Sequence, residues 1–284
     1  RHVPHRGNHH RRVTLSFRQL LEQRWQTSNS LLCVGLDPDQ SRIPAEYHHH
    51  EDGIVRFCVD IIEATAEYAC AFKPQIAYFA AHRAEGQLER LMEHMLRAAP
   101  NVPIILDAKR GDIGSTAEQY AVEAFERYQA DALTLSPFMG FDSIEPYMAY
   151  PDKGLILLCR TSNPGAKDLQ DLDCSGKPLY QRVAETIARD WNGNNNCLLV
   201  VGATWPQQLA EVRAIVGDMP FLVPGVGAQG GDVEQIIKNG RGKASDALII
   251  SSSRAILYAS TGEDFTEAAR AAAMKQRDEI NRYR

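Results

Sequence analysis

Eight short apolar runs rich in β-branched residues punctuate the chain, at 31–36, 69–73, 103–107, 131–136, 154–159, 197–201, 220–224 and 246–251. Segments of helical periodicity follow them. Ile54, Phe57, Cys58, Ile61 and Ile62 form one such stripe, and Ala117, Tyr120, Ala121, Ala124 and Phe125 another. Strands that are apolar almost throughout belong to a sheet covered on its outer face and packed inside. Eight strand–helix repeats in about 250 residues therefore predict an α/β fold, a single (β/α)8 TIM barrel, rather than an open doubly wound sheet, which usually has fewer strands. The supply of apolar residues, 44% of the chain, suffices for such a core.

No pronounced linker divides the sequence, so residues 14–284 are read as one barrel domain. Residues 1–13 are read as a disordered extension. Residues 1–12 are rich in Arg and His, lack acidic residues and precede no apolar stretch of the kind a secretory signal needs. The triplet His48-His49-His50 reads as an exposed loop between the first strand and the next helix, not as a metal site.

Charge and cysteine usage exclude several roles. With 31 Lys+Arg against 36 Asp+Glu the formal net charge is −5, which offers no basic excess for a phosphate backbone and argues against nucleic acid as a partner. The longest apolar runs, such as Gly154 to Cys159, are far below the ~20 residues of a membrane span. Six cysteines with no CxxC pair suit a reducing, cytoplasmic setting.

In a barrel of this type chemistry sits at the C-terminal ends of the strands. Polar residues gather there: Asp37 after the first strand, Lys73 closing the second, Asp107 and Lys109 at the third, Ser136 at the fourth, and Arg160 to Ser162 after the fifth. The densest patch is 106–116, LDAKRGDIGST. Asp107 and Lys109 stand two apart on an extended segment, so both are expected on one face. Ser115 with Glu118 reads as a capping box, placing Asp112 just ahead of a helix N-terminus. One reading is a solvated ion pair at a turn, worth little. The other is a buried ammonium held charged between carboxylates, a ready proton donor.

A second patch, 224–232 (PGVGAQGGD), follows the seventh strand, and Ser251-Ser252-Ser253-Arg254 follows the eighth. Glycines Gly225 and Gly227 let backbone N–H groups approach an anion, Ser253 opens a short helix, and Arg254 can grip a phosphate with two donors. The stretch 160–178 is a long loop of the kind that forms lids.

DAKRGDIGST resembles the Asp-x-Lys-x-x-Asp signature of the orotidine 5′-phosphate decarboxylases, and TSNPGA, Thr161 to Ala166, resembles a loop of the bacterial type. The similarity runs from about residue 14 to the C-terminus. It implies conversion of orotidine 5′-monophosphate to uridine 5′-monophosphate by a homodimer with shared active sites, using neither metal nor organic cofactor. By matched position it implies a charged network of Lys73, Asp107, Lys109 and, from the partner subunit, Asp112, with Lys109 as proton donor to C6. Asp37 and the partner subunit's Thr116 would hold ribose hydroxyls, Ser162 would face the pyrimidine, and Gln229 with Arg254 would hold the phosphate. Two alternatives stand beside this. One is a Mg2+-dependent sugar-phosphate decarboxylase or aldolase of the same barrel superfamily, which Arg110 and Lys73 speak against because a metal site there needs another acid. The other is a barrel that binds a nucleotide without catalysis.

Overall fold

The computed structural model describes residues 15–226 and 232–284; the extension expected over residues 1–13 lies outside them. All eight expected strands form: β1 (Leu32–Leu36), β2 (Ala71–Pro74), β3 (Ile105–Arg110), β4 (Ala132–Leu135), β5 (Gly154–Arg160), β6 (Cys197–Val201), β7 (Phe221–Val223) and β8 (Leu248–Ser252). They pair in parallel in the order β2-β1-β8-β7-β6-β5-β4-β3. The ring closes between β2 and β3 through two isolated bridges, Phe72↔Ile104 and Gln75↔Asp107. The Phe72 N–H donates to the Pro103 carbonyl at 3.0 Å and the Ile76 N–H to the Asp107 carbonyl at 3.2 Å. Pro74 helps explain why this seam is thin, since it has no N–H to give to a ladder.

Every residue of β1, β2, β4, β6, β7 and β8 is buried, as near-continuous apolar strands require. Helices α1 (Phe17–Ser28), α2 (Gly53–Thr65), α3 (Glu85–Ala98), α4 (Gly114–Val122), α5 (Leu179–Thr186), α6 (Pro206–Val216), α7 (Val233–Gly240) and α8 (Phe265–Asn281) surround them. The stripe Ile54, Phe57, Cys58, Ile61 and Ile62 is the buried face of α2. The crossover from β4 to β5 departs from the repeat: two 3-10 turns, Phe141–Ser143 and Glu145–Ala149, replace the helix. Pro137, Pro146 and Pro151, together with Gly140 at φ 86°, leave no uninterrupted stretch long enough for one.

The long loop after β5 has secondary structure of its own. It contains a 3-10 turn, Pro164–Asp168, and an antiparallel hairpin of Asp173–Cys174 with Lys177–Pro178. Ser175 and Gly176, at φ 56° and 90°, make its two-residue turn. His48, His49 and His50 lie exposed at the end of a 3-10 turn, as the sequence suggested.

Helix α1 closes the opposite, N-terminal mouth of the barrel. A capping box of Ser16 and Gln19 starts it, the Phe17 N–H donates to the Asp152 carbonyl at 2.8 Å, and the Trp25 indole N–H donates to the Leu248 carbonyl at 3.1 Å. Gly154 opens β5 directly under this plug. A Cβ there would lie 2.3 Å from the Phe17 ring and 2.9 Å from the Ala132 Cβ. Gly154→Ala is therefore expected to destabilise the fold by about 1–3 kcal/mol, the scale of core overpacking. Urea unfolding followed by circular dichroism measures this, and an unchanged midpoint would mean that the plug yields freely.

Candidate active site

Asp107 is the hub of a cluster at the C-terminal ends of β1 to β4. Its Oδ2 accepts from Lys73 Nζ at 2.9 Å, and its Oδ1 accepts from Lys109 Nζ at 2.7 Å and from Thr134 Oγ1 at 2.9 Å. Burial pushes the Asp107 carboxyl up, but Lys73 and Lys109 overcome it and hold the group well below the usual carboxylate range. Burial pulls Lys73 down, and here Asp107, then Asp37, hold it above an ordinary lysine. The Asp37 carboxyl is raised by its own burial, against the pull of Lys73.

Packing fixes these positions. Lys73 lies within β2, opposite Gly35 of β1. A Cβ on Gly35 would come within 3.0 Å of the Ser253 Cβ and 3.2 Å of Asp37 Oδ1, so glycine lets the ends of β1 and β8 converge. Asp37 Oδ1 and Ser253 Oγ, both buried, make no hydrogen bond of good geometry among the described residues, although Ser253 is close enough to pull against the rise of the Asp37 carboxyl. Tyr258, just past the short helix Arg254–Leu257, ties the two strand ends together. Its hydroxyl donates to the Asp37 carbonyl at 2.9 Å and accepts from the Asp39 N–H at 2.8 Å.

Three expectations about the 106–116 patch need correction. Lys109 is not a buried ammonium: its side chain is 47% exposed, whereas that of Lys73 is 9% exposed. Asp107 and Lys109 do meet, yet not on an extended strand, because Lys109 is left-handed at φ 48° in a bulge of β3. Ser115 and Glu118 form no capping box. Helix α4 starts at Gly114 with Ile113 at the cap position and no side-chain cap, because Asp112 and Gly114, at φ 73° and 55°, bring the chain into the helix before Ser115. Asp112 still precedes the helix, and its Oδ1 accepts from the Ile113 N–H at 2.8 Å. Arg110 turns away to pair with Glu123 at 3.0 Å and to cover the Tyr120 ring.

Asp112 and Thr116 are exposed, and among the described residues neither hydrogen-bonds to the Lys73–Asp107–Lys109 cluster. Beside them lies an apolar surface: Ile113 is 49% and Phe138 82% exposed, with Met139 and Phe141 also open. Ser162 is partly buried on the loop after β5. A Cβ on Gly202 would meet its Cα at 2.8 Å, so glycine at the end of β6 admits this loop. The loop base is locked by buried Arg160, whose guanidinium holds Asp171 at 2.8 and 3.1 Å. Gly225 follows β7 at φ 81° and Arg254 is exposed at the start of its short helix. Gly227 and Gln229 lie outside the described residues. Sequence reasoning missed Thr134, Tyr258, Gly35 and Gly202. Thr134 alone carried a signal, a hydroxyl inside the apolar run Ala132 to Leu135.

The description "Orotidine 5'-phosphate decarboxylase / HUMPS family" belongs to the family model that matches residues 30–272. A protein of Azoarcus sp. (strain BH72) named orotidine 5'-phosphate decarboxylase is 63% identical over 270 residues, 95% of this chain and 100% of that protein. One of the same name from Dechloromonas aromatica (strain RCB) is 59% identical, with the same coverage. The solved structure of Leishmania donovani OMP decarboxylase superposes with a TM-score of 0.82 at 40% identity, covering 95% of this chain and 98% of that one.

The charge cluster has a pH signature. Asp107, depressed in the fold, contributes stability that is complete above the unfolded value of about 3.9 and is lost as pH falls through the folded value. Lys73, raised, contributes stability that is complete below about 10.4 and is lost as pH rises through its folded value. Asp107→Asn leaves Lys73 as a poorly compensated buried charge and is expected to cost about 3–5 kcal/mol at pH 7. Below about pH 4 its stability should fall less steeply than that of the unaltered chain. Urea unfolding at pH 7 and through the acid range checks both; parallel acid limbs would place the sensitivity in other carboxylates.

Proposed function

The chain belongs to the orotidine 5′-phosphate decarboxylase family, and from that premise we propose how its own residues perform the reaction. It converts orotidine 5′-monophosphate to uridine 5′-monophosphate, the last step of de novo UMP synthesis, and is a carboxy-lyase. The Mg2+-dependent and non-catalytic alternatives are not favoured, because relatives at 59–63% identity over nearly the whole chain carry the decarboxylase name.

One observation carries the mechanism: a carboxylate, Asp107, fixed between two ammonium groups at a strand end. Loss of CO2 breaks the C6–carboxylate bond and leaves its electron pair on C6, in the plane of the ring, where no π system spreads it. Stabilisation must come from charge positioned in advance. An ammonium ~4 Å from the carbanion at an effective dielectric of 20 is worth about 4 kcal/mol. Lys109, at the open side of the cluster, supplies that charge and then transfers its proton to C6, to be reprotonated from water. As charge moves from the substrate carboxylate to C6 it leaves Asp107 and approaches Lys109, so the preference of the site grows along the reaction. Lys73 keeps Asp107 ionised and fixed.

The remaining assignments follow matched position in the family, and at Asp37 and Ser253 a polar atom without a good hydrogen bond supports them. Asp37, partly buried and with one oxygen free of good hydrogen bonds among the described residues, is suited to accept from ribose hydroxyls. Ser162 faces the pyrimidine, and Ser253, Arg254, Gly225, Gly227 and Gln229 hold the phosphate. Two further readings complete the picture. The protein is a homodimer whose sites are shared, with Asp112 and Thr116 of the partner subunit completing each one. Supporting this, both residues stand exposed beside the apolar surface of Ile113, Phe138, Met139 and Phe141. It works in the cytoplasm, which fits six free cysteines, five of them buried. Among the described residues no helix is long and apolar enough to cross a membrane.

Lys109→Ala, assayed by absorbance with orotidine monophosphate in EDTA, should lose nearly all kcat while circular dichroism stays unchanged. Retention of a tenth of the original kcat would reject Lys109 as the donor. The shared site is tested by mixing. Asp112→Ala and Lys73→Ala homodimers should each be nearly inactive. Random reassortment makes half the dimers mixed, each with one intact site, so activity should return to roughly a quarter of the unaltered enzyme under two-fold symmetry. No recovery, with exchange confirmed by mass, would mean that Asp112 serves its own chain.

A further inference from the structure

Thr134 has no place among the residues assigned above, yet its hydroxyl is the most constrained polar atom of the cluster. The side chain is fully buried in β4. Its Oγ1 accepts from two consecutive backbone N–H groups, Ala108 at 3.0 Å and Lys109 at 2.9 Å, and donates to Asp107 Oδ1 at 2.9 Å. A hydroxyl has one proton and two lone pairs. The two amides occupy both lone pairs, so the proton has one direction left, towards Asp107.

Backbone pairing explains why a side chain does this work. Leu106 pairs with Leu133 and Arg110 with Leu135, so Asp107, Ala108 and Lys109 of β3 all stand opposite Thr134 alone. In a regular parallel ladder successive amides point to opposite neighbours, so only one of these two would face β4. The bulge turns both the Ala108 and the Lys109 amide to the Thr134 hydroxyl, and buried N–H groups left unpaired are costly. The same bulge puts Lys109 at φ 48°, a conformation that a non-glycine residue keeps only when its surroundings impose it. Regular pairing resumes at once, with the Ser136 N–H donating to the Arg110 carbonyl at 2.8 Å.

We propose that Thr134 is a positioning residue for the decarboxylation: its single hydroxyl holds the β3 bulge that aims Lys109 and at the same time orients the Asp107 carboxylate. The inference rests on Lys109 and Asp107 acting as described above. Thr134 acts through the two residues it holds, Asp107 and Lys109. Its effect is on the geometry in which the ammonium is presented, and therefore on the chemical step more than on nucleotide binding.

Thr134→Val keeps the shape and removes all three hydrogen bonds; Thr134→Ser keeps the bonds and removes a methyl. The valine variant should lose kcat by about thirty-fold or more with KM changed less than three-fold, and the serine variant should stay within about three-fold in both. This split and this rescue distinguish positioning from a purely structural role, which would lower the folded fraction and leave the KM of the surviving enzyme and its kcat alike. Amide hydrogen exchange on the unaltered enzyme supplies a measurement that needs no variant to fold. The Ala108 and Lys109 amides, which donate to the Thr134 hydroxyl, should exchange as slowly as neighbouring ladder amides. The inference is overturned by a folded Thr134→Val with kcat within three-fold of the unaltered enzyme, by a folded Thr134→Ser as impaired as Thr134→Val, or by exchange of both amides at loop rates. Any of these would leave the role of Lys109 standing, since that role fails only if Lys109→Ala stays active.

Discussion

The ion pair between Lys73 and Asp107 is the interaction around which the site is arranged. Both side chains are less than a tenth exposed, and taking two charges out of water costs several kcal/mol for each ion unless the geometry returns it. The return here comes from saturation. Asp107 receives three donors, Lys73 Nζ, Lys109 Nζ and Thr134 Oγ1, and Lys73 also feels Asp37 across the end of β1. A carboxylate so provided is kept ionised by structure, not by solvent. It can stay charged when a substrate bearing its own carboxylate displaces water, which is what electrostatic preorganisation demands.

The barrel closes at the same place. Between β2 and β3 the backbone offers only two isolated bridges, one of them at Asp107, and the Lys73–Asp107 bond crosses that seam as a side-chain link between the two strands. Function and closure are thus coupled. The Asp107 backbone carbonyl accepts from Ile76 while its side chain accepts from Lys73, so the residue that organises the chemistry also joins β2 to β3 where the ring closes. The adjacent bulge in β3 extends the pattern, with regular pairing giving way to side-chain hydrogen bonds where Lys109 must be aimed. Strain at a functional position is held by surroundings that determine it several times over.

The barrel was legible because eight apolar runs and the stripes between them repeat a signal that packing amplifies, and strand ends shifted by no more than three residues. Lys73, Asp107 and Lys109 were legible because the positions of charged residues at strand ends are set by that same repeat. What stayed hidden depends on backbone detail. The left-handed turns at Lys109, Asp112 and Gly114 moved the start of α4 ahead of Ser115 and removed the capping box that the letters suggested. They also turned Lys109 outward and left Lys73 as the buried ammonium. Three prolines erased the helix after β4, a local effect that an eightfold pattern overlooks. Tyr258, Gly35 and Gly202 act through approaches between distant segments, and no local spacing announces them.

A charge count joins the half-exposed Lys109 to the open surface beside it. Within one chain the cluster holds two ammonium groups, Lys73 and Lys109, and two carboxylates, Asp37 and Asp107. Asp107 stands between the lysines and satisfies Lys109 from one side only, leaving nearly half of that side chain to water. Water there is incompatible with a low-dielectric site. A nucleotide that displaced it would strip solvation from an ammonium with one partner, at a cost that grows as the dielectric falls. A second carboxylate on the open side removes that cost, and in the proposed dimer Asp112 of the partner subunit is the group that provides it. The apolar residues Ile113, Phe138 and Met139, exposed in the single chain, would be buried by the same association. On this reading Ile113 of the surface that drives pairing adjoins Asp112, the charge that completes the site, so that dimerisation and completion of the active site are a single event.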